Sequence, residues 1–216
     1  MATALPSIVI FAFVLQIVPI MDLCHFGVPD WLENFQNAEL PQRLSEYATA
    51  FAKRYPWVKF YTPVNEMYVT ARMSALDGVW NEQLRSDDAF VRATCNLAKA
   101  SVLMMQAIQR ERPDAVFVNS ESSEFYQACC PDREIRRIAD FENERRFIAL
   151  DLLYGVPMQA DIYSYLMDHG MSREEYQWFR DQDVARRALG EVARRLGDEP
   201  LLFVRLEVHR AMLGGW

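Results

Sequence analysis

Three short apolar runs, separated by stretches of helical periodicity, constrain what this chain can fold into more than any other feature. They are "IVPIMDLC" (17–24), "WVKFYTPV" (57–64) and "AVFVNS" (115–120). Between the first two, "PQRLSEYATAFAKRY" sets Leu44, Tyr47, Ala48, Phe51, Ala52 and Tyr55 at helical spacing. Pro41 suits the start of that helix and Pro56 its end. Between the second and third, "SDDAFVRATCNLAKASVLMMQAIQRER" (86–112) reads as one long amphipathic helix. Ser86 is its expected cap, and Asp87 and Asp88 complement the positive end of the helix dipole. Helical stretches follow at roughly 133–154, 161–168 and 172–196, and a further strand-like run, "LLFVRLEV", at 201–208.

Strands alternating with helices imply parallel pairing through right-handed crossovers. The pattern fits a doubly wound sheet or a (β/α) barrel. No G-x-G-x-x-G or P-loop follows any of the runs, so nothing supports nucleotide binding. Instead the three runs end in polar residues: His25, the pair Asn65-Glu66, and the pair Ser120-Glu121. Chemistry at the carboxyl ends of parallel strands is what the mouth of a barrel provides. The expected class is therefore α/β, of the TIM-barrel type.

A chain of 216 residues, 51% hydrophobic, can bury one good core, and no Gly/Ser/Pro-rich linker divides it. A single domain over 1–216 is expected. The net charge of −7, with no stripe of Lys and Arg, argues against a nucleic-acid partner. Four cysteines without C-x-x-C spacing and three histidines argue against a zinc site, and no cofactor is expected. Cys129-Cys130 reads either as a vicinal disulfide or as two thiols of a reducing cytosol; the second, with a cytoplasmic location, is the expectation. The run "SIVIFAFVLQIVPIM" (7–21) has no basic residue before it and contains Gln16 and Pro19. It lacks a signal-peptide pattern and is shorter than the about 20 apolar residues of a membrane span. It is expected to be buried, with no membrane contact, as strands covered on both faces are.

"YTPVNEMYV" (61–69) carries the sharpest chemical signal. Glu66 lies among Val64, Met67 and Tyr68, and an apolar surround favours the protonated carboxyl that a general acid needs. Asn65 can donate and accept, so it can grip a sugar hydroxyl. The same residues also fit a surface turn with a solvated glutamate. His25 can bind a hydroxyl while Phe26 or Trp31 stacks on a sugar face, or it can be a histidine satisfied by backbone. Glu121 and Glu124, in "NSESSEF", are further carboxyls near a strand end, or members of a solvated loop.

Taken in order, these residues resemble part of a family 1 glycoside hydrolase, the β-glucosidase and β-galactosidase family. The resemblance is carried by "PIMDLCHFGVPDWL" and "RLSEYATAFAKRYPWVKFYTPVNEM". His25-Phe26, Pro29, Trp31-Leu32, Tyr47, Phe51, Arg54, Thr62, Asn65 and Glu66 fall in the family's order. The resemblance implies a retaining β-glycosidase acting on small β-glucosides, with Glu66 as acid/base, Asn65 on the sugar 2-hydroxyl and His25 on the glycone. Such enzymes place a second carboxylate about 5–5.5 Å from the first. Met67 stands where the family has Pro, and Phe26 where it has Trp. The family's Glu-Asn-Gly nucleophile motif does not occur in the chain.

The resemblance covers roughly 17–120 and more faintly reaches about 180, which implies a partial barrel. The second carboxylate would then come from Glu121, Glu124, Glu207 or a second chain. The alternative is a catalytically inactive fragment that binds sugar or only self-associates. An open parallel sheet leaves two unpaired edges, so a homo-oligomer is expected.

Overall fold

In the computed structural model, residues 14–122 and 124–187 are described. Strands β1 (Ile20–Asp22), β2 (Phe60–Thr62) and β3 (Val116–Phe117) form one parallel sheet in the order β1-β2-β3. They lie within the three apolar runs, parallel and adjacent as the alternation implied, but each is shorter than its run. The register aligns Ile20 with Phe60 and Phe60 with Val116, and aligns Met21 with Tyr61 and Tyr61 with Phe117. Successive side chains on a strand alternate between faces, so these are two rows on opposite sides of the sheet.

One row faces the helices. Tyr61 is fully buried, edge-on to Phe51 of the first helix at 6.3 Å between ring centres and beside Phe117 at 6.5 Å. That helix, α1 (Leu40–Arg54), carries Pro41 in its first turn and buries Leu40, Leu44, Ala48, Phe51 and Ala52. A short helix, α2 (Met67–Ala71), follows β2 and runs into a π-helical turn at Arg72–Leu76. Helix α3 (Asp87–Glu111) starts at Ser86, whose hydroxyl accepts the Ala89 N–H at 3.1 Å. It is the spine of the core, burying Phe90, Leu97, Met104, Met105 and Ile108 completely or nearly so. Ser45 of α1 donates to the Leu103 carbonyl at 3.3 Å, and Asn96 donates to the Phe35 carbonyl at 2.8 Å. These bonds hold α1 and the loop before it against α3.

After β3 the chain is helical: α4 (Arg133–Arg145), α5 (Ile148–Tyr154), α6 (Ala160–Asp168) and α7 (Arg173–Asp181). The helix expected over 133–154 is divided at 146–147, and α7 ends at Asp181 within the stretch expected to run to 196. The strand expected at 201–208, with Glu207, lies outside the described residues. No helix among those described is long and apolar enough to cross a membrane.

The N-terminal apolar run differs from expectation where it is described. Val14, Leu15, Ile17, Val18 and Ile20 are each at least half exposed. The cause is topological. β1 is an edge of the sheet, and the helix-facing row is the one that packs into the core. On the other row Ile20 is 57% exposed, and Phe60 and Val116 are partly exposed. Among the described residues the sheet has one well-covered face, not two.

The same packing sorts the four cysteines. Cys24 and Cys95 are buried, and desolvation pushes the Cys24 thiol up to about 12 and that of Cys95 further still. Cys129 and Cys130 are exposed, with their sulfurs 4.0 Å apart. Thiolate, not thiol, is the reactive species. In the native protein at pH 8, an aromatic disulfide reagent should therefore titrate Cys129 and Cys130 quickly and Cys24 and Cys95 only on unfolding. Fast reaction at all four positions would contradict this packing.

Candidate functional site

The carboxyl ends of the three strands converge through the backbone. Beyond the short ladder, the Leu23 N–H donates to the Thr62 carbonyl and the Asn65 N–H to the Cys24 carbonyl, both at 3.0 Å. The next N–H, that of Glu66, donates the other way, to the Ser120 carbonyl at 3.1 Å. Asn65 and Glu66 thus stitch the end of β1 to the end of β3. His25 directly follows the carbonyl that accepts from Asn65, so the structure brings the backbone at all three sequence-selected positions to one edge of the sheet.

Glu66 has left-handed backbone geometry, φ 43° and ψ 62°. For a residue with a long side chain this costs about 1–3 kcal/mol and persists only where the surroundings enforce it. Its apolar sequence neighbours go elsewhere: Val64, Met67 and Tyr68 are all buried in the core, while Glu66 is partly exposed. The Asn65 amide is oriented by Ser120, whose hydroxyl donates to Oδ1 at 2.7 Å. Its Nδ2 has no hydrogen-bond partner among the described residues.

His25 is exposed, and its Nδ1 lies 2.5 Å from Asp22 Oδ2. A neutral imidazole that gives its Nδ1 proton to Asp22 leaves Nε2 as an acceptor. Phe26 stacks obliquely beside it at 4.4 Å, and Trp80 lies 5.0 Å from Phe26, forming a short aromatic ledge. Asn81 holds the ledge by donating to the Phe26 carbonyl at 3.1 Å and to Ser74 Oγ at 2.7 Å. Trp31 stands apart, two-thirds exposed, lining a cavity of about 330 Å³ with Leu32, Leu44 and Tyr47. Phe26, not Trp31, is the ring beside His25.

A carboxyl that the sequence offered either to a site or to a solvated loop is strongly perturbed. Glu121 follows β3, and desolvation pushes its pKa from the ordinary 4.5 up to about 8, with Glu66 and Glu124 adding like-charge repulsion. The Tyr68 N–H, 3.0 Å from Oε1, and the Met67 N–H pull the other way. The sequence signal was a carboxylate directly after a strand end; nothing in the sequence showed which backbone groups it would meet.

Because the folded state holds this proton more tightly than the unfolded chain, Glu121 contributes stability that is fully present below about pH 4.5 and fades up to about pH 8. Urea midpoints measured across that window should fall less steeply for Glu121→Gln than for the parent. An unchanged slope would remove Glu121 as the titrating group.

Tyr68 anchors this edge from behind. Its hydroxyl accepts from Arg72 Nη1 at 2.8 Å, the same Nη1 reaches the Tyr126 hydroxyl at 2.5 Å, and Arg72 Nε pairs with Asp77 at 3.0 Å. No group of three or more His, Cys, Asp or Glu is placed to hold a metal among the described residues.

No protein-family model matches the sequence, and none of the curated proteins is similar to it. Solved structures are similar in fold. A β-glucosidase from Thermotoga maritima in complex with deoxynojirimycin matches with a TM-score of 0.73 and 17% identity, covering 82% of this chain and 42% of that one. A family 1 β-glucosidase from the same organism gives the same values. Its complex with glucoimidazole matches with a TM-score of 0.71 and 16% identity over the same shares. The chain spans less than half the length of these structures. What it shares with them is a partial (β/α) fold of the family 1 β-glucosidase kind.

Proposed function

We propose that the edge formed by His25, Asn65 and Glu66 is a β-glucoside site and that the chain takes part in retaining β-glycoside hydrolysis. The observation that carries this reading is the placement of an Asn-Glu pair at the carboxyl end of a parallel strand, stitched to both neighbouring strands, in a fold similar to part of a β-glucosidase. Glu66 is the proton donor to the leaving oxygen while an ionised carboxylate from Glu124, Glu207 or a second chain takes the anomeric carbon, and Glu66 is then the base for the water that releases the sugar from that carboxylate. Asn65 binds the 2-hydroxyl through its free Nδ2, because Ser120 occupies Oδ1. His25, held by Asp22, binds a glycone hydroxyl, and Phe26 with Trp80 gives the sugar an apolar face to stack on.

Glu121 is not the nucleophile in this reading. Its carboxyl is bonded to backbone N–H groups and favours its proton, whereas a nucleophile must be ionised and facing the sugar. The purified chain should release nitrophenol from a nitrophenyl β-glucoside, with inhibition by deoxynojirimycin. No turnover, together with no sugar binding by calorimetry, would overturn the reading.

A further inference from the structure

We infer that Ser120 and Glu121 are positioning residues that hold Asn65 and Glu66 in working geometry from the end of the neighbouring strand. This inference rests on the glycosidase reading for its functional consequence, while its structural part stands alone. Three contacts run from this dipeptide to the turn after β2. The Ser120 carbonyl accepts the Glu66 N–H at 3.1 Å, the Ser120 hydroxyl donates to Asn65 Oδ1 at 2.7 Å, and Glu121 accepts the Tyr68 N–H at 3.0 Å.

Each contact does a separate job. The first N–H groups of a helix have no partner within it, and at α2 the Tyr68 N–H finds one in a glutamate 53 residues along the chain. That fixes where α2 begins and so where the left-handed turn at Glu66 must sit. The carbonyl contact fixes the Glu66 backbone itself. The hydroxyl contact decides which end of the Asn65 amide is free. Without it the amide can turn over and present an acceptor where a donor is needed. Misplacing a catalytic group by about 1 Å can cost about 10²-fold in rate, so a clamp of this kind acts on turnover more than on binding.

The test uses Ser120→Ala, Glu121→Ala and the conservative variants Ser120→Thr and Glu121→Gln in the full chain, with two independent readouts. Amide hydrogen exchange is followed at Met67 and Tyr68, and the side-chain amide of Asn65 by NMR. Glu121→Ala should speed exchange at Tyr68 by at least about tenfold, since its N–H loses the acceptor it has among the described residues. Glu121→Gln, which keeps an acceptor oxygen, should restore protection. Ser120→Ala should shift the Asn65 side-chain resonances, and Ser120→Thr should restore them. Unchanged exchange and unchanged Asn65 signals in folded alanine variants would overturn the clamp, whatever the activity. The second readout is hydrolysis of the nitrophenyl β-glucoside. Each alanine variant should lose about 10–100-fold in kcat with little change in KM, and each conservative variant should recover part of it. A parent chain without activity would sink the glycosidase reading and leave the exchange results to judge the clamp. An active parent whose alanine variants keep full kcat would overturn the positioning role.

Discussion

Glu66→Gln is expected to lower hydrolysis of a β-glucoside with a poor leaving group by about 10²–10⁴-fold, the usual contribution of general acid catalysis. Glutamine keeps the size of the side chain and can still hydrogen-bond, but it cannot deliver a proton. The size of the loss should depend on the leaving group. An alkyl glucoside needs its oxygen protonated as the bond breaks, whereas a dinitrophenyl glucoside leaves as a stable anion and should be much less affected in its first step. The second step still lacks a base to activate water, so added azide, which needs no base, should rescue the variant on the activated substrate. Equal loss on both substrates, or none on the alkyl glucoside, would remove Glu66 from the acid/base role. Since the turn at Glu66 is fixed by backbone bonds to Ser120 and by the start of α2, the substitution should leave the fold intact, and an unchanged circular dichroism spectrum checks this.

Phe90→Ala should destabilise the protein by about 3–5 kcal/mol, the range for removing a buried phenyl group. Phe90 is fully buried on α3, with the Tyr68 ring edge-on at 5.9 Å and the Arg145 guanidinium 5.6 Å from its ring centre. Arg145 also lies near the rings of Phe141 and Tyr165 and pairs with Glu142 at 2.6 Å. Deleting the ring leaves a cavity and strips a neighbour from a buried cation, and neither loss can be made good by water entering from a distant surface. Single domains hold only about 5–15 kcal/mol in total, so urea unfolding of this variant should show a large drop in midpoint. A change below about 1 kcal/mol would mean that α3 repacks freely, contrary to the dense packing seen along it.

The apolar runs and helical periodicities were readable because both are local. Ile20, Tyr61 and Phe117 lie in strands where β-branched and aromatic residues cluster, and Pro41 and Ser86 mark helix starts by chemistry that acts within a few residues. The candidate site was readable only as far as the placement of its residues at strand ends. His25, Asn65 and Glu66 follow strand ends, and parallel pairing brings strand ends together. What the sequence did not disclose was every contact that depends on tertiary distance. Glu121 is desolvated where it meets the start of α2 from 53 positions away, a contact that no local pattern discloses. The exposure of Val14 to Ile20 was hidden for a related reason. An apolar run says that burial is favourable, but what covers a strand is set by the neighbours its sheet supplies.

The left-handed backbone at Glu66 sets the preference of the fold against the proposed chemistry at a single codon. Glycine is the residue this conformation favours, and a change to glycine would relieve the backbone strain at this position. A carboxylate here is held against the grain of the fold. If Glu66 has the acid/base role proposed above, position 66 serves as a record among descendants of this chain: drift to glycine or asparagine would mark release from that role, and persistence of glutamate its retention.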